Sequence, residues 1–244
     1  MENPKSVKHM SRWTAGLIHL GISAIIAVVV LVLILGVWYP PPFFGVSRAQ
    51  TLVFLIIGID LVLGPLLTLI VFDTRKKWLK LDLAVIALLQ AAGLAYGLNA
   101  VFQSRPAFLV AEHEWITAVY AHAVNTDGAE NAHYPRLPLW GPKLVSLQIP
   151  DDPAWQSRSI ELLLSGGGEL RERLAAYAPF ERVQPFLLSN ARPASELQGR
   201  LPNTGRAVED MRYVPVYCRS GTVHMLLDAT TGEPLGATAA APAP

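Results

Sequence analysis

Polar and apolar positions divide the chain into two regimes. Residues 13–47 contain no Lys, Arg, Asp or Glu, and neither do residues 83–104. Apolar side chains fill three runs, at 13–38, 52–72 and 81–103. At ~1.5 Å of helix per residue, each run is long enough to cross a hydrocarbon core of roughly 30 Å. Past residue 105 the apolar runs shorten and alternate with polar residues, and 14 of the 19 prolines fall in 106–244. That part reads as a water-exposed domain hung from the third helix.

In this second region FLVA (108–111) and WITAVY (115–120) read as strands joined at EHE, and PKLVSLQI (142–149) as a third. DDPAWQSRSIELLL opens a helix, with Asp152 as N-cap, Pro153 at the first helical position and apolar periodicity to Leu164. SGGG ends it. Shorter helices are expected at 169–177 and 193–200. YVPVYCRSGTVHMLLDATTGEPLGA closes the domain as a meander, with turns at Arg219-Ser220-Gly221 and Thr231-Gly232 and a short strand at 234–237. The last residues, 237–244, have nothing to bury and read as a disordered tail. The expected fold is a membrane protein: a bundle of three transmembrane helices at the N-terminus, followed by a small α+β extracytoplasmic domain with a mainly antiparallel sheet.

Composition sharpens this picture only locally. The chain is 52% hydrophobic and 16% charged, against about 25% charged in an ordinary soluble domain. A net charge of +1 gives no electrostatic footprint for nucleic acid. The placement of the cations is more informative. Lys5, Lys8 and Arg12 precede the first span, and Arg75, Lys76, Lys77 and Lys80 fill the loop between the second and third. The loop between the first two holds only Arg48. The positive-inside rule then makes 1–12 a cytoplasmic N-terminus and 73–80 a basic cytoplasmic loop, with 39–51 and the domain at 104–236 outside. The first apolar run is followed by WYPPPFF, without a small-residue cleavage site, so it reads as a retained anchor.

Asp60 stands out inside the second span. An ionised carboxylate at mid-bilayer costs about 2.5–3.5 kcal/mol, so it should face protein or water. At 100° per residue, Asp60, Gly64 and Thr68 share an arc of about 80°. Asp82, Gln90, Gly93 and Gly97 share a similar arc on span three, and Gly16, His19, Ser23 and Ala27 cluster on span one. Gly93-x-x-x-Gly97 has the small-residue spacing that lets helix backbones approach. Counting residues from the span ends puts Asp60 and Gln90 within a few ångströms of one depth, with His19 nearer the cytoplasm. Pro65 lacks an N–H and leaves the Leu61 carbonyl without its usual donor, marking a bend where another group could dock. Two readings of Asp60 stay open: a structural hydrogen bond to Gln90, or recognition of a partner's transmembrane helix. An ion pathway is a third.

The outer domain offers no catalytic constellation. Cys218 is the sole cysteine, so no internal disulfide can form, and its alternating strand makes it a core residue. His113, His122, His133 and His224, with Glu112 and Glu114, match no zinc spacing. SGGG lacks the Lys and Ser/Thr of a phosphate loop, and Asp151-Asp152 suits capping. No catalytic residue, metal ligand or cofactor site is expected.

WYPPPFF, then GIDLVLGPLLTLIVF, a basic loop, and KLDLAVIALLQAAGLAYG ending in RP resemble the type IV pilin accessory protein family, the TfpX/TfpZ group. The Asp60–Gly64–Pro65–Leu66–Leu67–Thr68 string is the most specific element. The resemblance spans residues 11–106 and continues more weakly through PKLVSLQIPDDP and YVPVY…LLDATTGE, while 121–140 fall outside it. It implies a bacterial inner-membrane protein with a periplasmic domain, which holds a type IV pilin in the bilayer, chaperone-like, before assembly. Asp60, Gly64, Pro65, Thr68, Gln90, Gly93 and Gly97 would then form a docking face for the pilin helix. Its partners would be the pilin and the lipid bilayer, with self-association through Gly93 and Gly97 left open. The competing class is a membrane-anchored sensor or ligand-binding protein, disfavoured because the basic loop carries no signalling domain.

Overall fold

A computed structural model describes residues 11–130, 132–166, 168–199 and 201–242. Lys5 and Lys8, on which part of the orientation argument rests, lie outside the described residues. The chain separates into two compact units. One holds Thr51–Val101 with the described residues before Ile34; the other holds Ile34–Gln50 with the described residues from Phe102 onward.

The first unit is built from three long helices. α1 (Arg12–Leu33) runs on into a π-helical turn, Ile34–Trp38. A single-turn helix α2 (Phe43–Val46) follows it, and then come α3 (Ala49–Val71) and α4 (Leu79–Gln103). The three long helices are candidate membrane spans by length and hydropathy. Their burial pattern is inverted relative to a soluble bundle. Leu17, Ile25, Phe54, Ile70 and Leu88 are each about two-thirds exposed, while Gly16, Ser23, Gly64 and Thr68 are buried. In water so large an apolar belt would be a binding or aggregation surface. In hydrocarbon it is an ordinary lipid face, and the small and polar residues set the helix contacts. An added Cβ at Gly16 would lie 2.8 Å from Leu69 Cγ, and one at Gly97 would lie 2.6 Å from Ile56 Cδ1. These two glycines are where backbones come close.

The second unit is a mixed sheet covered on both faces. β1 (Pro106–Ala111), β2 (Ile116–Tyr120) and β3 (Lys143–Leu147) come first, followed by α5 (Pro153–Leu164) and β4 (Tyr177–Ala178). Then come α6 (Gln184–Asn190), β5 (Arg192–Pro193), β6 (Leu197–Gln198), β7 (Met211–Cys218), β8 (Gly221–Asp228), β9 (Pro234–Thr238) and β10 (Ala241–Pro242). The sheet order is β4-β3-β1-β2-β7-β8-β9, with β5 also on β7. Most joins are antiparallel; β1 with β3 and β2 with β7 are parallel. β1 is buried at every position, as a strand sandwiched on both faces should be. Its Leu109 and Ala111 face one core with Ile116, Val214 and Leu227. Its Phe108 and Val110 face another with Val145, Leu174 and Tyr177.

The segment 39–51, expected as a loop between spans, is built into the sheet unit as far as Gln50. Phe43 is 5% exposed and belongs to the core under β2, β7 and β8. The Ser220 N–H donates to the Val46 carbonyl at 3.0 Å, and Arg48 Nε donates to Ser220 Oγ at 2.8 Å. Groups that share a core lie on one side of any membrane the helices cross.

Three local expectations also change. No α-helix forms at 169–177. Two 3₁₀ turns, Leu170–Glu172 and Leu174–Ala176, stand there instead. The Asn125 N–H donates to the Glu172 carbonyl and the Leu174 N–H to the Asn125 carbonyl, so main-chain groups that a helix would use internally go to an isolated bridge with Asn125. At 193–200 a single 3₁₀ turn, Ala194–Glu196, sits between β5 and β6, and the true helix is the preceding α6, with Pro185 in its first turn. The expected disordered tail pairs instead: Ala241 stands opposite Gln198 and Pro242 opposite Leu197. Residues 243 and 244 lie outside the described residues. The α5 start follows expectation, with Asp152 Oδ1 accepting from the Ala154 N–H at 3.0 Å.

Candidate functional site

Gly64 is the meeting point of the three long helices. A Cβ there would stand 2.2 Å from Gln90 Nε2 of α4 and 2.8 Å from His19 Nε2 of α1. Only a hydrogen leaves room for both polar ends. One turn away, His19 Nδ1 and Thr68 Oγ1 share a hydrogen bond of 2.7 Å. On the other side, Gln90 Nε2 donates to the main-chain carbonyl of Asp60 at 3.3 Å. The three helices are thus tied by a short polar ladder of two rungs, one joining α1 and the other α4 to α3.

A cavity of about 190 Å³ opens beside this ladder. His19, Ser23, Asp60 and Gln90 supply its polar lining, and Ile26, Ala91 and other apolar residues supply the rest. Asp60 is half-buried, held at the cavity wall rather than sealed in the bundle. The helix passes through Pro65 without interruption, and both Gly64 and Pro65 are buried.

The residues expected to act together are therefore only partly gathered. Asp60, Gly64, Thr68 and Gln90 meet in one place. Gln90 reaches the Asp60 main-chain carbonyl, at the depth where counting from the span ends brings the two residues together. Gly97 is used inside the bundle against Ile56, whereas Gly93 is exposed and an added Cβ would meet nothing within 4 Å. The Gly93/Gly97 pair is thus divided between an internal contact and an open surface. His19 joins the site although depth counting had set it apart. Its match is Thr68, since His19 lies about two turns from the N-terminal end of α1 and Thr68 within one turn of the C-terminal end of α3.

The sheet unit has titratable groups of its own. His122 Nδ1 lies 3.0 Å from the Gln103 carbonyl, and its Nε2 2.9 Å from Arg219 Nη2. His224 Nδ1 lies 2.8 Å from the Ala240 carbonyl, and burial pushes its pKa below the usual imidazole range. Burial also pushes the Cys218 thiol up to about 11, the opposite of what a nucleophilic cysteine requires.

The comparisons with known proteins bear on the same residues. The family model "Fimbrial assembly protein FimB" matches residues 7–48, which include His19 and the Phe43 segment. The fimbrial assembly protein of serogroup I from Dichelobacter nodosus is 25% identical over 216 residues, covering 82% of this chain and 83% of the relative. That of serogroups C1 and C2 from the same organism is 35% identical over 97 residues, which is 39% of this chain and 74% of the relative. The chain belongs to the fimbrial assembly protein family. This agrees with the type IV pilus resemblance read from the first hundred residues. For this family member, no solved structure matches.

Proposed function

We propose that this fimbrial assembly protein lies in the bacterial inner membrane, binds a type IV pilin through its transmembrane helices, and steadies it for assembly. The N-terminus is cytoplasmic and the sheet domain periplasmic. The protein acts by holding a client and not by catalysis. One observation carries this reading: the polar ladder at Gly64 leaves Asp60 on the wall of a cavity between helices whose other faces are apolar. A buried polar group in hydrocarbon is tolerated where another protein surface can meet it. Exposed Gly93 adds a place on α4 where a further helix backbone can approach. Family membership supports a role in pilus assembly, and the shared core of the 34–50 segment with the sheet fits a single periplasmic side.

The test is co-purification of pilin with the tagged chain from membranes, combined with in-membrane cross-linking. Asp60→Leu should leave the protein in the membrane and reduce cross-linking to pilin. Unchanged cross-linking would leave Asp60 a structural residue and remove the docking face from the mechanism.

A further inference from the structure

α5 is the least integrated element of the outer unit. None of its residues is buried, and Ile160 and Leu163 are 60% and 56% exposed. These side chains, with Trp155, Ile149 and Leu170, line a groove of about 310 Å³. Such a groove alone would say little. It is also lined by Arg173, 5% exposed, the only charged residue lining it among the described residues.

Arg173 is held rigidly. It stands between the two 3₁₀ turns, its N–H donating to the Leu170 carbonyl, and its neighbours on both sides are hydrogen-bonded to Asn125. Its side chain is nonetheless unspent. Among the described residues, Nε and Nη2 meet no hydrogen-bond acceptor although both atoms are buried. An orphaned buried donor is costly, and more so on a charged group. The guanidinium edge is a planar fork that matches a carboxylate with two parallel bonds. Asp127, Glu130 and Asp152, with Arg158, line a wetter cleft that Arg173 also borders, where the three acids outweigh Arg158 and repel an arriving anion. Among the described residues, no acid lines the apolar groove. A carboxylate therefore reaches Arg173 from the groove side.

We infer that the groove under α5 docks an apolar segment of a partner protein that presents one carboxylate, from an acidic side chain or a chain terminus, to Arg173. A protein segment fits better than an acyl chain because Gln156 and Ser159 also line the groove and can bond a main chain. Resting on the reading above, the partner is the extramembrane part of the pilin.

The experiment places a photoreactive phenylalanine at Ile160, and separately at Leu94 beside the membrane cavity, in the full chain co-produced with its pilin. Irradiated membranes are then analysed by peptide mapping. The expected result is a pilin adduct from Ile160, mapping to a segment that contains Asp, Glu or the C-terminus. Arg173→Gln should weaken it about ten-fold, the worth of a charge-assisted pair. Leu163→Glu, at a surface position that cannot unfold the core, should do the same, and both should spare the Leu94 adduct. An Ile160 adduct indifferent to both substitutions, one mapping to a segment without a carboxyl group, or one with lipid would overturn the inference. Pilin captured from Leu94 alone would overturn it and leave the membrane reading standing. Capture from Ile160 alone would do the reverse, and capture from neither would remove both.

Discussion

His19 in α1 and Thr68 in α3, 49 positions apart in sequence, are joined by a hydrogen bond of 2.7 Å, and Thr68 is only 3% exposed. Interhelical bonds of this kind contribute about 0.6 kcal/mol on average in membranes, and up to about 1.7. Thr68→Val keeps the shape and removes the hydroxyl. It should lower bundle stability by an amount in that range, read as a lower midpoint of thermal unfolding in detergent. His19→Leu should match it, and the double variant should lose little more than either alone, because one bond is removed in all three.

The glycines of the bundle should separate by contact. Gly64→Ala drives a methyl group against Gln90 and His19, and Gly97→Ala drives one against Ile56. Both should lower the melting midpoint. Gly64→Ala should cost more, since Gln90 must leave the Asp60 carbonyl to make room. Gly93→Ala meets open space and should be neutral or stabilising by up to about 1 kcal/mol through helix propensity. A fall in pilin recovery with Gly93→Ala at unchanged stability would mark that face as a client contact.

Phe43 tests whether the segment between the first two spans is structural. It is chemically part of the sheet core, so Phe43→Ala should cost about 3–5 kcal/mol in that unit. Limited proteolysis should then cut the sheet unit at β7 and β8 while the three long helices stay protected.

Asp228 sets a pH dependence. Its Oδ1 accepts from the main-chain N–H groups of Thr231 and Thr230 at 3.0 and 2.9 Å, and Oδ2 pairs with Arg206 at 3.0 Å. These hold its pKa below the usual carboxylate value, the Thr231 bond foremost. A depressed folded-state pKa gives stability that is complete above the unfolded value of about 3.9 and fades as pH falls through the folded one. Unfolding midpoints followed from pH 7 downward should show this acid limb. Asp228→Asn should start lower at neutral pH and lose that part of the slope.

Much of this was legible in the chain. Long apolar runs announce the three long helices, because hydrocarbon leaves little choice of structure. Asp152-Pro153 announces α5 by capping chemistry that is entirely local. Equal distance from opposite span ends brings Asp60 and Gln90 together, and the same count pairs His19 with Thr68 once α3 is measured from its far end. What stayed hidden was set by contacts distant in sequence. Glu172 and Leu174 look helical until Asn125 takes their main-chain bonds. Phe43 looks like a loop aromatic until β7 and β8 provide its pocket. The tail looks idle until Leu197 and Gln198 give it a strand to pair with. The division of Gly93 from Gly97 follows from which side Ile56 occupies, and no spacing rule encodes that.

The Arg48–Ser220 contact spans 172 positions, which puts a clock on biogenesis. At roughly 5–20 residues per second, a nascent chain exposes the Phe43 segment for about ten to thirty seconds before its cover emerges. During that interval an aromatic-rich stub stands unshielded. The sheet unit closes only when nearly the whole polypeptide has been made, so its early segment waits on its late strands.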